Sequence, residues 1–143
     1  MSFLLDTSVV SELVKKLPNE GVLSWLSRQD EDSLYLSVLT LGELEKGISK
    51  LRASARRDRL RSWLSRDLAA RFADRLLLVD VPVATRWGTL TGDAEKRGTP
   101  LPVIDSLIAA TALEHGFSVV TRNVTDFERC GVACVDPWKE QAD

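Results

Sequence analysis

Apolar positions along this chain alternate between short continuous runs and helical spacing. Phe3-Leu4-Leu5 is an apolar run ended by Asp6-Thr7-Ser8, the pattern of a strand that feeds a helix start. A first helix is expected over Val9–Lys16, stopped ahead of Pro18 because the residue before a proline disfavours helical dihedrals. Asn19 can cap a second helix through Arg28, with Val22, Leu23 and Leu26 inward. Leu34–Ser37 reads as a second strand, after which Leu41, Leu44, Ile48 and Leu51 recur at helical spacing. A further helix is predicted over Arg56–Ala73, with Leu60, Trp63, Leu64, Leu68 and Phe72 inside and arginines outside. Leu76–Val81 is apolar apart from Asp80, which predicts a strand buried on both faces of a parallel sheet. Val83, Trp87, Leu90 and Ala94 define a helix closing at Gly98. Pro102 opens another, which carries Ile104, Leu107, Ile108, Thr111 and Ala112 to Gly116. Phe117–Thr121 is a fourth strand and Val132–Val135 a candidate fifth.

Strands separated by helices require crossover connections, hence a parallel arrangement. The expected fold is α/β, a three-layer α/β/α sandwich around a central, mainly parallel sheet of four to five strands. No repeat, low-complexity tract or linker interrupts the chain, so one domain is expected over residues 1–143. In open sheets of this kind, ligands sit outside the carboxyl ends of the strands, where strand order reverses.

Composition narrows the chemistry. Hydrophobic residues at 44% and charged ones at 28% describe a globular chain. No window approaches the roughly 20 apolar residues that span a bilayer. The start, Met-Ser-Phe-Leu-Leu-Asp, lacks a basic region and meets an aspartate too early for a signal peptide, so a cytoplasmic protein is expected. The two cysteines, Cys130 and Cys134, and the one histidine, His115, cannot assemble a Cys/His zinc set. Buried or partly buried free thiols are expected instead, with His115 decorating a helix end before Gly116 rather than serving a triad. The chemistry falls to carboxylates.

The net charge of −2 conceals an asymmetry. Between Lys50 and Arg75 nine basic residues face three acidic ones, a net of +6 that leaves −8 elsewhere. Such a block suits a polyanion approaching from one side, although helix faces laced with salt bridges look the same.

Several carboxylates fall at one rim of the expected sheet. Asp6 follows the first strand, Glu43 lies in the early turns of the helix after the second, and Asp105 is in the first turn of the helix begun near Pro102. Asn123 and Asp126 follow the fourth strand. Singly, each is explained by helix capping, the helix dipole or plain exposure. Together they would repel one another unless a cation neutralised them. Hard oxygen donors suit Mg²⁺, with Mn²⁺ as the alternative, and such ions promote displacement at a phosphodiester.

Four segments carry a family resemblance. Phe-Leu-Leu-Asp-Thr-Ser-Val-Val-Ser-Glu (3–12), Leu-Gly-Glu-Leu (41–44), Pro-Val-Ile-Asp-Ser-Leu-Ile-Ala-Ala-Thr-Ala (102–112) and Thr-Arg-Asn-Val-Thr-Asp-Phe (121–127) resemble, in order and spacing, the motifs of PIN-domain proteins. The likeness is strongest to the VapC toxins, including the FitB-like branch. It implies a divalent-metal-dependent endoribonuclease, the toxin of a type II toxin–antitoxin pair, acting on tRNA or ribosomal RNA. It further implies inhibition by a VapB-type antitoxin, a homodimer, and a heterooctamer with antitoxin on operator DNA. Carried over by motif, Asp6, Glu43 and Asp105 would be the metal-binding and catalytic acids, with Asp126 completing the set. Thr7, Thr121 and Asn123 would orient them. Arg52, Arg56, Arg57 and Arg59 would contact RNA or antitoxin.

Two rival classes make different demands. A receiver-type phosphoacceptor needs an aspartate closing the third strand, whereas Asp80 sits inside its apolar run and the Asp6 motif lacks an acid pair. A PIN-like module that binds without cutting would have no use for an intact set of acids, and this chain keeps them all.

Overall fold

Five strands and eight helices are laid out in the computed structural model, which describes residues 1–140; residues 141–143 lie outside the described part. The strands are β1 (Phe3–Leu5), β2 (Leu34–Ser37), β3 (Leu76–Leu77), β4 (Ser118–Val120) and β5 (Cys134–Val135). They lie in the order β3-β2-β1-β4-β5, and every pairing is parallel. The register places Leu4 beside Tyr35 on one side and Val119 on the other.

Because side chains alternate across a strand, three consecutive residues of β1 serve two cores. Phe3 and Leu5 join Val9, Val22, Trp25, Leu36 and Phe72 in one layer, while Leu4 joins Ile108, Ala109, Val119 and Phe127 in the other. The first layer holds α1 (Thr7–Glu12), α2 (Glu20–Ser27) and α3 (Val38–Ser49), followed by α4 (Ala55–Ser62) and α5 (Ala69–Arg71). The second holds α6 (Val81–Lys96), α7 (Val103–His115) and α8 (Val124–Glu128). This is the expected three-layer sandwich. A central strand buried on both faces explains why Phe3-Leu4-Leu5 shows no polar alternation.

Local chemistry sets the helix ends. The Asn19 carboxamide accepts from the Val22 amide at 3.2 Å and starts α2, and the Ser37 hydroxyl accepts from Leu39 at 3.0 Å and starts α3. Gly116, at φ 73°, takes the left-handed position that closes α7. His115 is the exposed last residue of that helix, and both cysteines are free, as expected.

Three elements depart from the sequence pattern. The first helix ends at Glu12, not Lys16. The Arg56–Ala73 helix is broken into α4, a π-helical stretch over Trp63–Leu68, and α5; the wider turn falls where Trp63 and Leu64 pack on the core from a largely charged helix. The Leu76–Val81 strand shrinks to two residues. It is an edge strand pairing only with β2, and beyond it Leu78 is 63% and Val81 79% exposed. Asp80 there caps α6, accepting from the Val83 amide at 3.1 Å. An apolar run signals β preference, but burial on both faces requires a neighbour on each side.

Candidate active site

The chain builds outward from β1 in both directions: β2 and β3 lie to one side, β4 and β5 to the other. Strand order therefore reverses between β1 and β4, and a crevice opens at their carboxyl ends. Asp6 and Thr121 are the residues that directly follow these two strands.

Asp6 is 3% exposed. Its Oδ2 accepts two hydroxyl bonds at 2.8 Å, from Thr121 Oγ1 across the crevice and from Ser8 Oγ in its own turn. Its backbone N–H donates to the Val120 carbonyl at 2.9 Å, so the aspartate is fixed at both ends. Thr7 points elsewhere: its hydroxyl donates to Glu43 Oε1 at 2.5 Å and lies 3.4 Å from the buried Thr40 hydroxyl, tying α1 to α3. Asp105 enters from the first turn of α7 and Asp126 from the first turn of α8.

These acids sense one another. The Asp105 carboxyl is raised from its ordinary value of 3.8 to about 6, first by burial and then by the negative charges of Asp6, Asp126 and Glu43. The four carboxylates thus share one electrostatic environment, although they come from four separate elements. Asn123 is placed differently. It stands at the N-cap position of α8 without a side-chain capping bond and is exposed, and its backbone N–H donates to Thr121 Oγ1 at 2.9 Å. It therefore steadies the threonine that holds Asp6. Ser8 and Thr40 join this network without any local sequence signal, since each acts through one hydroxyl bond.

The donor set is all-oxygen and anionic, as hard divalent cations prefer, and its mutual repulsion is what such a cation relieves. Among the described residues, no three His, Cys, Asp or Glu side chains already stand in a metal-holding arrangement. The cysteines offer no alternative centre: burial raises both thiols, Cys134 to about 11, which leaves them poor nucleophiles.

The basic block does not reach this crevice as a unit. Arg71 and Arg75 are committed to Glu31. Arg52, Arg56 and Arg59 are exposed, and Arg57 donates to the Leu51 carbonyl at 3.4 Å. Arg56 instead borders a groove of about 550 Å³ beside α1, with Val14, Lys15, Lys16 and Leu60.

With this geometry in hand, comparison with known proteins is informative. A PIN-domain family model matches residues 3–132. The chain belongs to the PIN-domain family. It is 36% identical to the VapC ribonuclease Y4jK of Sinorhizobium fredii, over 95% of this chain and 97% of that one. It is 35% identical to toxin FitB of Neisseria gonorrhoeae, over 96% and 99%. Its fold matches a solved structure of FitAB bound to an IR36 DNA fragment with a TM-score of 0.90 at 33% identity, covering 97% of each chain.

Proposed function

We propose that this chain is a divalent-metal-dependent endoribonuclease, the toxin of a toxin–antitoxin pair. What supports this reading is the Asp105 carboxyl, raised by burial and by the charges of Asp6, Asp126 and Glu43 beside the strand-order reversal, together with the Thr121 and Ser8 hydroxyls bonded to Asp6. Relatives named as a VapC ribonuclease and a toxin, matching along nearly their whole length, support the same activity.

Asp6, Asp105, Glu43 and Asp126 would hold Mg²⁺, or Mn²⁺ in its place. The bound ion would supply charge neutralisation at a phosphodiester in a crevice that otherwise repels it. The chain's own residues have separable duties. Thr121 and Ser8 fix the Asp6 carboxylate through hydroxyl donors, and Thr7 orients Glu43. Asp105, with its carboxyl raised to about 6, holds its proton more tightly than an ordinary aspartate, and a bound cation would favour its ionised form. Asp6 and Asp105 would hold the ion directly, and Glu43 would either act through water or accept the proton of the attacking nucleophile.

A neutralising antitoxin of VapB type is the expected partner, in keeping with the FitAB complex that this fold matches. Homodimer formation and a heterooctamer on operator DNA extend the same reading, as does one PIN domain spanning 1–143. No described helix is long and apolar enough to cross a membrane, in keeping with a cytoplasmic toxin. The test is cleavage of total bacterial RNA by antitoxin-free protein with Mg²⁺, Mn²⁺ or EDTA, beside Asp105→Asn. Discrete fragments that need metal and vanish in the variant are expected. Equal fragments from the variant, or from EDTA-treated protein, would overturn the proposal.

A further inference from the structure

The arginines of this protein divide by what holds them. Arg129 lies 3.9 Å from Asp126 and donates to the Pro100 carbonyl. Arg86 is paired with Glu114, Arg61 with Glu45, and Arg71 and Arg75 with Glu31. Arg122 is held in another way. It directly follows Thr121, and its backbone N–H donates to Ser8 Oγ at 3.3 Å. Those are the two residues whose hydroxyls bind Asp6 Oδ2, so the Arg122 backbone is pinned to the network that orients the catalytic candidate.

Its side chain is exposed, with the guanidinium over the Trp138 ring, 5.3 Å from the centroid. Among the described residues it forms no ion pair. The carboxylate whose field it feels is Glu12, which is already committed to Lys15 at 2.8 Å and to the Asn19 amide at 2.8 Å. Burial acts to raise the Glu12 carboxyl, but those partners and the Arg122 charge together hold it below the usual range. Trp138 is itself braced. Its backbone N–H donates to Asp136 Oδ1 at 3.0 Å, and Gly21 admits the neighbouring Pro137 carbonyl, which a Cβ there would meet at 2.6 Å.

A cation without an ion pair among the described residues, on the residue that follows the Asp6-binding Thr121, has a definite electrostatic use. The acids repel the phosphates that flank whichever one is bound, and a single guanidinium can hold the strand against that repulsion. An arginine fork matches phosphate oxygens two at a time, and stacking on an aromatic ring lessens the freedom it loses on binding. We infer that Arg122, braced on Trp138, grips a backbone phosphate of the RNA strand next to the one placed at the acids. The inference rests on the ribonuclease reading above.

The test compares Arg122→Met, which keeps an apolar stem on Trp138 and removes the charge, with Arg122→Lys. Binding of a fluorescein-labelled random-sequence single-stranded RNA is followed by anisotropy across salt concentrations, in full-length Asp105→Asn protein so that the probe stays intact. Arg122→Met is expected to bind about tenfold more weakly. Its log–log salt slope should be shallower by about 0.7, one phosphate contact on a single strand. In the chain with its acids intact, KM should rise about tenfold with kcat nearly unchanged. Arg122→Lys should restore the slope and part of the affinity. RNA binding by the parent together with an unchanged Kd and slope in Arg122→Met would overturn the assignment of Arg122 alone. Weaker binding at an unchanged slope, with a lowered Tm, would show a structural role and overturn it equally. A parent that neither binds nor cuts RNA would overturn the ribonuclease reading and this inference with it.

Discussion

Two clusters of charge stand at opposite ends of the parallel strands, one before β2 and β3 and the other after β1 and β4, and they are built on opposite rules. Around Arg75, which is 7% exposed, every charge is answered. Its guanidinium donates to the carbonyls of Glu31 and Leu34 at 2.6 Å, to the Arg71 carbonyl, and to the Glu31 carboxylate at 2.9 Å, while lying 4.8 Å from the Phe72 centroid. Bonds from Arg71, which outweigh the effect of burial, and then from Arg75 bring the Glu31 carboxyl down to about 2. At the crevice, Asp105 has no ion-pair partner among the described residues and feels the charges of Asp6, Asp126 and Glu43, and after burial these bring its carboxyl up to about 6. The first cluster clamps the edge strand β3 to the turn before β2. The second stores repulsion that a ligand can release. Compensated charge is architecture here, and uncompensated charge marks the proposed site.

The contrast can be broken in several places. The largest effect is on activity: Asp6→Asn or Asp105→Asn should lower RNA cleavage at least about 100-fold, the scale of removing a group that handles charge developed in the reaction. Single-turnover assays decide it, and activity within tenfold of the parent would contradict the assignment. Next comes Arg75→Met, which leaves three carbonyls without their guanidinium donor and the Glu31 carboxylate with Arg71 alone. A loss of about 2–3 kcal/mol is expected by urea unfolding, somewhat below that for a fully buried pair because Glu31 is half exposed.

The third effect reverses sign. Without metal at pH 7.5, Asp105→Asn should be more stable than the parent by about 1 kcal/mol, as relief of site strain commonly gives. A folded-state value above the unfolded one means the native state holds its proton more tightly. Parent stability therefore falls as pH rises from 3.8 through about 6, and the advantage of the variant closes below that range. Glu31 runs the other way, since its stabilisation is full above about 4.5 and is lost as pH falls toward 2. Unfolding midpoints across pH for the two variants should diverge accordingly. Last and smallest, Arg86→Ala breaks a surface pair with Glu114 and should cost under about 1 kcal/mol.

The sequence is an uneven guide to these regions. Asp6, Glu43, Asp105 and Asp126 are readable because each stands at a fixed offset from a strand or helix start, and parallel topology gathers such ends on one rim. The network that holds them is readable only through the family resemblance, which marks Thr7, Thr121 and Asn123 but not Ser8 or Thr40. Thr121 reaches Asp6 across 115 positions and Thr7 reaches Glu43 across 36, and no local pattern records a hydroxyl bond of that kind. Arg75 misleads for the same reason: by composition it belongs to a basic face, yet its partners lie 41 and 44 positions away and draw it into the interior. Leu78 and Val81 mislead in the opposite sense, because hydrophobicity states a preference and the edge position of β3 leaves it unmet.

The central claim, that the crevice is an uncompensated anionic site awaiting a divalent cation, is tested most directly by thermal unfolding during a Mg²⁺ titration at pH 7.5. The parent should begin less stable than Asp105→Asn, gain with added Mg²⁺ and saturate, by roughly 2.7 kcal/mol when the ion exceeds its Kd a hundredfold, while the variant stays nearly flat. Parallel curves for the two proteins, or no gain in the parent, would contradict the account.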